Sequence, residues 1–303
     1  MIRVIFMGTP DYAASILKGL IEADDIEVSA VYTQPDKPVG RKGILTPPPV
    51  KVLAEDAGIR VIQPQRLRDE EVVAELRTIP CDLIVVAAYG QILPKAVLEY
   101  APCINLHASI LPAYRGASPI QQSLLNNDPE TGITAMWMDE GLDTGAIIRI
   151  EKIAIAPDEM VSSLYERLTD VAVTLTLDVV RNWDRRSALP QNDAEATHCR
   201  KISKADGLID FTDAREIYNR YRAYTPWPGI YLESGLKIKH MALEDETSSG
   251  TAGEIVRIDK ESIVVQCAKG SLRIMTVQAP SKQEGNAVSY LNGKRIACGH
   301  TLA

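Results

Sequence analysis

Three side chains in this sequence have the types and spacing of a group-transfer site. Asn105 and His107 lie two apart in the run Cys103-Ile-Asn105-Leu-His107. On an extended strand, residues i and i+2 project to one face, so an amide donor and an imidazole look into one space. Asp143 follows in Gly141-Leu-Asp143-Thr-Gly145, between two glycines where the chain can turn back tightly. A donor for developing negative charge, a titratable base and a carboxylate suit acyl transfer to a nucleophile that the substrate brings. No serine or cysteine nucleophile is needed. Each residue also has a plain structural use: a hydrogen-bonded His beside an apolar run, an Asn on backbone, an Asp at a turn. The runs that follow, Ser109-Ile-Leu-Pro112 and Tyr114-Arg-Gly-Ala-Ser-Pro-Ile120, are too particular for a generic loop and favour chemistry.

The elements that must position these groups read as α/β. Ile2–Phe6, Val28–Tyr32 and Leu83–Ala88 are short apolar runs rich in β-formers, as expected for strands of a parallel sheet buried on both faces. Helical patterns lie between them at Ala13–Leu20, Val50–Ala57 and Glu70–Leu76. Such doubly wound folds bind ligands at the carboxyl ends of strands, where residues 103–107 and the loop after Ala88 are expected. Gly8-Thr9-Pro10 after the first strand is not G-x-G-x-x-G, which counts against a dinucleotide cofactor. An amphipathic helix over 160–183 closes a first domain, 1–183. Residues 184–202 read as a linker, polar over Asp184–Asp193. A second domain, 203–303, begins with a short helix, Ala214–Tyr221. After Pro226-Trp-Pro-Gly229 come β-type runs at 230–232, 236–240, 253–258, 263–267 and 272–277, the texture of a small antiparallel, OB-like β-barrel.

Composition bounds the rest. At 303 residues, 46% hydrophobic and 24% charged, the chain is ordinary for a soluble globular protein of one large or two modest domains. The five cysteines, 81, 103, 199, 267 and 298, form no C-x-x-C pair, which argues against a disulfide framework and structural zinc, and for a reducing cytoplasm. No signal-peptide pattern opens the sequence, and no apolar run is long enough to span a bilayer, so no membrane partner is expected. The net charge of -7 hides an asymmetry. Residues 200–303 hold 15 Lys and Arg against 12 Asp and Glu, while residues 1–199 hold 18 against 28. A mildly basic C-terminal third is compatible with nucleic acid, and equally with chance.

Taken together, the motifs resemble those of the methionyl-tRNA formyltransferases over nearly the full length. They are Met7–Ala13, Thr33–Arg41 with Pro49–Lys51, Ala88–Pro94, Ile104–His107, Ser109–Pro112, Arg115–Pro119, Gly141–Gly145 and Pro226–Pro228. The Asn-x-His and the later Asp are common to many 10-formyltetrahydrofolate-using transferases and do not fix the acceptor. The segment 33–51 is more selective. It carries Lys37, Arg41, Lys42 and Lys51 against Asp36, with five prolines and two glycines. Most such segments are solvated surface loops, but Lys and Arg on a mobile tip also suit RNA phosphate.

The resemblance implies a Rossmann-like formyltransferase domain followed by a C-terminal β-barrel. It implies 10-formyltetrahydrofolate as formyl donor, methionyl initiator tRNA as partner, no metal, and a monomeric cytoplasmic enzyme. Asn105, His107 and Asp143 would be catalytic. Asn105 and a protonated His107 would stabilise the formyl oxygen, and Asp143 would orient the imidazole. Backbone around Tyr89, Gly90 and Ile92, and around Asp139, Gly141 and Leu142, would hold the pterin, with Ser109, Ile110, Leu111 and Pro112 as a further folate-contacting loop. Lys37, Arg41 and Lys42 would engage the tRNA. Blander uses are a core Tyr89 and Ile92, a turn-capping Ser109 and an ion-paired Arg115; His198, His240 and His300 read as solvated or structural. A sugar-nucleotide or purine-precursor formyltransferase would share the three residues but lack the basic insertion. A formyltetrahydrofolate hydrolase, a non-catalytic RNA-binding protein and a nicotinamide dehydrogenase fit less well.

Overall fold

The computed structural model describes residues 1–40, 42–185 and 187–302. They form two compact units. The first comprises residues 1–119, 130–154 and 165–199, and the second comprises 120–129, 155–164 and 200–303.

In chain order the elements up to the site are β1 (Ile2–Gly8), α1 (Asp11–Ile21), β2 (Ile26–Tyr32), β3 (Lys37–Val39), β4 (Ile44–Thr46), α2 (Pro49–Asp56), β5 (Val61–Ile62), α3 (Glu70–Leu76), β6 (Leu83–Ala87), α4 (Lys95–Leu98) and β7 (Cys103–His107). There follow β8 (Arg115–Gly116), α5 (Pro119–Leu125), β9 (Glu130–Trp137), β10 (Ile147–Ala154), α6 (Val161–Arg181) and β11 (His198–Cys199). The first unit is built on a seven-stranded sheet in the order β10-β9-β7-β6-β1-β2-β5. β6 is buried at every position, and β1 from Val4 onward, as continuous apolar strands under helices must be. One face of the sheet closes on a core of Ile5, Met7, Tyr32, Leu76, Ile84, Val86 and Val97. α1 buries Tyr12, Ala13, Ile16, Leu17 and Leu20, a stripe at helical spacing.

The expected parallel sheet is only part of what forms. β7, β6, β1, β2 and β5 run parallel, but β9 pairs antiparallel with β7, and β10 antiparallel with β9. β10 lies at the sheet edge, and none of its residues is fully buried. The segment 33–51 also differs from a plain loop. β3 and β4 pair as an antiparallel hairpin, Lys37 with Thr46 and Val39 with Ile44, and every described residue of it from 37 to 46 is exposed.

Of the residues 184–202 read from sequence as linker, 187–199 pack within the first unit. Leu189 exchanges both backbone hydrogen bonds with Ile147, at 2.8 and 2.9 Å, and β11 runs parallel to β8. Polar side chains there satisfy backbone groups of neighbouring turns, which composition alone reads as solvation.

The second unit adds α7 (Ala214–Tyr224), β12 (Ile230–Tyr231), β13 (Lys237–Ser249), β14 (Ile255–Ile258), β15 (Ile263–Gln266), β16 (Lys269–Gln278), β17 (Gly285–Asn286) and α8 (Ala287–Lys294). Its strands form an antiparallel sheet ordered β12-β13-β16-β15-β14, with β17 on β16. α7 is capped by the Asp213 carboxylate, which accepts the N–H groups of Arg215 and Glu216. No helix among the described residues is long and apolar enough to cross a membrane.

Candidate active site

β7 lies inside the sheet, hydrogen-bonded to β6 on one side and β9 on the other. Cys103, Ile104 and Leu106 are buried and fix its register, which brings Asn105 and His107 to one face. Tyr12 reinforces the strand end, its hydroxyl reaching the Leu106 carbonyl at 3.4 Å. Asp143 comes from the turn between β9 and β10 and meets both. Asn105 Nδ2 donates to Asp143 Oδ1 at 3.3 Å, and His107 Nδ1 lies 3.6 Å from Asp143 Oδ2. The side chains of His107 and Asp143 are only 7% and 10% exposed, so water screens their interaction weakly.

Two further contacts define the chemistry of the cluster. His107 Nε2 lies 2.9 Å from the Tyr114 carbonyl. A carbonyl only accepts, so Nε2 carries a proton, and Nδ1 is the ring atom turned to the carboxylate. The Gly116 N–H donates to Asp143 Oδ2 at 2.8 Å. Asp143 thus accepts from a side-chain amide and a backbone N–H, with the imidazole edge beside it.

Sequence reasoning did not anticipate what holds Asp143. Its backbone is left-handed, with φ 56°, a conformation that costs a residue with a Cβ free energy. Gln191 clamps that turn: Nε2 donates to the Asp143 and Gly145 carbonyls, both at 2.8 Å. Its Oε1 accepts from Arg115 Nε at 3.0 Å and Nη2 at 2.8 Å. Arg115 is 4% exposed and also pairs with Asp193 at 2.8 Å. The blander expectation of an ion-paired Arg115 therefore holds, with Gln191 as the inner partner. Two glycines make the arrangement possible. A Cβ at Gly145 would strike the Trp137 carbonyl, and one at Gly116 the Cys199 carbonyl. β11 completes the frame: Thr197 accepts the Tyr114 N–H on Oγ1 and the Arg115 N–H on its carbonyl, both at 2.9 Å. The only sequence signal for Gln191 was a polar residue in a polar stretch.

The expected folate residues fall into two groups. Ile92 is 82% exposed and Leu142 62%. Gly90 is left-handed at φ 81°. Asp139 Oδ1 accepts the Gly141 N–H at 2.9 Å and the Thr144 hydroxyl at 2.6 Å, which shapes the turn before Asp143. Other side chains are already committed. Tyr89 is 2% exposed within the core, and its carbonyl accepts from Thr9 Oγ1 at 3.0 Å and Gln34 Nε2 at 3.1 Å. The Ser109 hydroxyl donates to the Ala113 carbonyl at 2.6 Å, its capping alternative. The Ser109 carbonyl and Leu111 N–H both engage Thr134, so the run from Ser109 through half-buried Ile110 and buried Leu111 to Pro112 is pinned to β9.

Lys37 and Lys42 are exposed on the hairpin of β3 and β4; Arg41 lies outside the described residues. Lys51 does not add to their charge. It pairs with Asp36 at 2.9 Å, and Gln63 donates to the same carboxylate at 2.7 Å. These hydrogen bonds, Gln63's first, hold the Asp36 carboxyl below its usual range. The root of the hairpin is thereby fixed, and through Gln34 it is tied to the Tyr89 segment. Among the described residues no group of His, Cys, Asp or Glu could hold a metal ion. A polar cleft of about 390 Å³ in the second unit is lined by Arg200, Asp206, Arg220 and Tyr224 among others and shares no residue with the cluster.

Asn, His and Asp side chains converge at one strand end of a mixed sheet, and the chain belongs to the formyl transferase family. The family's model, formyl transferase, matches residues 2–180, and that of the formyl transferase C-terminal domain matches 201–295. Within the family it belongs with the methionyl-tRNA formyltransferases. It is 57% identical to the methionyl-tRNA formyltransferase of Sulfurimonas denitrificans, over 99% of this chain and all of that one. It is 51% identical to that of Nitratiruptor sp., over 99% of both. Among solved structures, the N-formyltransferase of Helicobacter canadensis, in complex with folinic acid and dTDP-3-aminofucose, aligns with a TM-score of 0.70 at 20% identity. That alignment covers 92% of this chain and all of the other. At that identity the likeness is one of fold alone.

Proposed function

We propose that this protein transfers the formyl group of 10-formyltetrahydrofolate to the α-amino group of methionyl initiator tRNA, acting in the cytoplasm as a monomer without a metal. The observation that carries this is the joint presence, in one unit, of the Asn105–Asp143–His107 cluster and an exposed lysine-bearing hairpin rooted on the Tyr89 segment. The amine nitrogen attacks the formyl carbon, the bond from that carbon to N10 breaks, and the proton lost by the amine ends on N10. Negative charge develops on the formyl oxygen in between. An amide NH₂ has two hydrogens; Asp143 takes one from Asn105, and the other is the donor offered to that oxygen. A preorganised donor of this kind stabilises the transition state by about 2.7–4 kcal/mol. Asp143 fixes the orientation of both neighbours and stabilises positive charge on the imidazole as the proton moves. Exposed Ile92 and Leu142 offer apolar contact to a pterin ring.

The test is a formylation assay with 10-formyltetrahydrofolate and three acceptors: charged initiator tRNA, charged elongator tRNA and nucleotide-linked amino sugars. Formylation of the initiator tRNA alone is expected; use of an amino sugar instead overturns the acceptor. In the same assay Lys37→Ala and Lys42→Ala should raise the KM for charged tRNA and leave folate affinity, read by fluorescence, within error. Each lost phosphate contact should flatten the salt dependence of tRNA binding by about one slope unit. If folate binding weakens in parallel, the hairpin shapes the pocket instead.

A further inference from the structure

We infer that Gln191 is a positioning residue for this reaction: its side-chain amide locks the turn that presents Asp143 to Asn105 and His107. The inference rests on the function proposed above and concerns a residue outside both matched family segments, 2–180 and 201–295. The orientation of the amide follows from its partners. Oε1 faces two guanidinium N–H groups of Arg115, and Nε2 faces two backbone carbonyls, those of Asp143 and Gly145. A flipped amide would set donor against donor and acceptor against acceptor. The Arg115 side chain is 5% exposed, so the clamp is anchored from within the unit. Both clamped carbonyls flank the functional side chain. One belongs to Asp143 itself, at φ 56°, and the other to Gly145, where a Cβ would strike the Trp137 carbonyl. The turn therefore has little room to relax elsewhere, and the amide holds its unfavourable backbone in place.

The same strand ribbon acts on the other partners. Arg115 lies between Tyr114, whose carbonyl accepts from His107, and Gly116, whose N–H donates to Asp143. Gln191 thus joins, through one side chain, the turn carrying the carboxylate and the strand that orients the imidazole. Asn105 and His107 keep their own strand, so loss of the clamp displaces the carboxylate relative to them.

Gln191→Glu separates positioning from folding. Its carboxylate keeps one oxygen on Arg115, now as an ion pair, and sets the other against two carbonyl oxygens. The protein should remain folded at the assay temperature, the new ion pair offsetting part of what the two lost donors cost. The KM values for folate and charged tRNA should stay within about twofold, while kcat falls by about ten- to a hundredfold, the scale of a misplaced catalytic group. Gln191→Met, of similar length but with neither contact, should lower kcat comparably with the same unchanged KM values. An unchanged kcat in either folded variant overturns the inference, as does a loss that follows lowered unfolding temperature across the two. Wild-type protein assayed alongside tells the failures apart: absent wild-type formylation refutes the proposed function, whereas normal wild-type turnover with normal Gln191→Glu turnover refutes only the clamp.

Discussion

His107→Ala should lower kcat for formyl transfer by at least about a hundredfold and leave the fold intact. His107 is 6% exposed, and its ring makes two polar contacts, Nε2 with the Tyr114 carbonyl and Nδ1 with Asp143. The Tyr114 carbonyl keeps a second partner in the Cys199 thiol, at 3.3 Å, and Asp143 keeps Asn105 and the Gly116 N–H. No buried group is stranded, so the cost in stability should be modest for a buried substitution. In the proposed reaction the cost in rate should be large, because the ring would sit where charge and proton move. Asn105→Ala should behave alike, through loss of the donor to the formyl oxygen. Steady-state kinetics with thermal unfolding on the same preparations checks both. Turnover within a few-fold of wild type in a folded variant would remove that residue from the mechanism.

Asp143→Asn should be of comparable severity, for a different reason. Both carboxylate oxygens accept from donors: Asn105 Nδ2 at one, the Gly116 N–H at the other. An asparagine must turn its NH₂ to one of these sides. Facing Gly116 it repels a backbone N–H; facing Asn105 it repels the side-chain amide. Either choice breaks the cluster, and the charge that steadies an imidazolium is gone. A fall in kcat of at least about a hundredfold is expected in a protein that remains folded. Turnover within a few-fold of wild type in the folded variant would remove the carboxylate from the mechanism.

What the sequence revealed of this site was what is local. Asn105 and His107 share a face because strand periodicity is a property of neighbours, and the Gly-flanked Asp143 announces its turn in five residues. The apolar runs of β1, β2 and β6 identify a buried sheet for the same reason. What stayed hidden depends on distant pairing. Gln191 reaches carbonyls 46 and 48 residues away, and no pattern around it records that. β9 and β10 carry strand signals of their own, but their antiparallel direction is decided by partners. The hairpin of β3 and β4 was masked by its prolines, which disfavour strands except at exposed edges, where this one lies. Tyr89 shows the converse. A motif marked its position, and only packing reveals that its ring belongs to the core.

The placement of residues 187–199 decides how portable the catalytic half is. A fragment cut after residue 180 would retain Asn105, His107 and Asp143, and every motif by which the first domain is recognised. It would also discard Gln191, Thr197 and Cys199. Arg115 would then be a buried cation without its inner partner, the carbonyls of Asp143 and Gly145 would lose their donor, and the Tyr114 and Arg115 N–H groups theirs. Anyone transplanting this active site, or fusing it to a different acceptor-recognition module, should place the junction beyond Cys199.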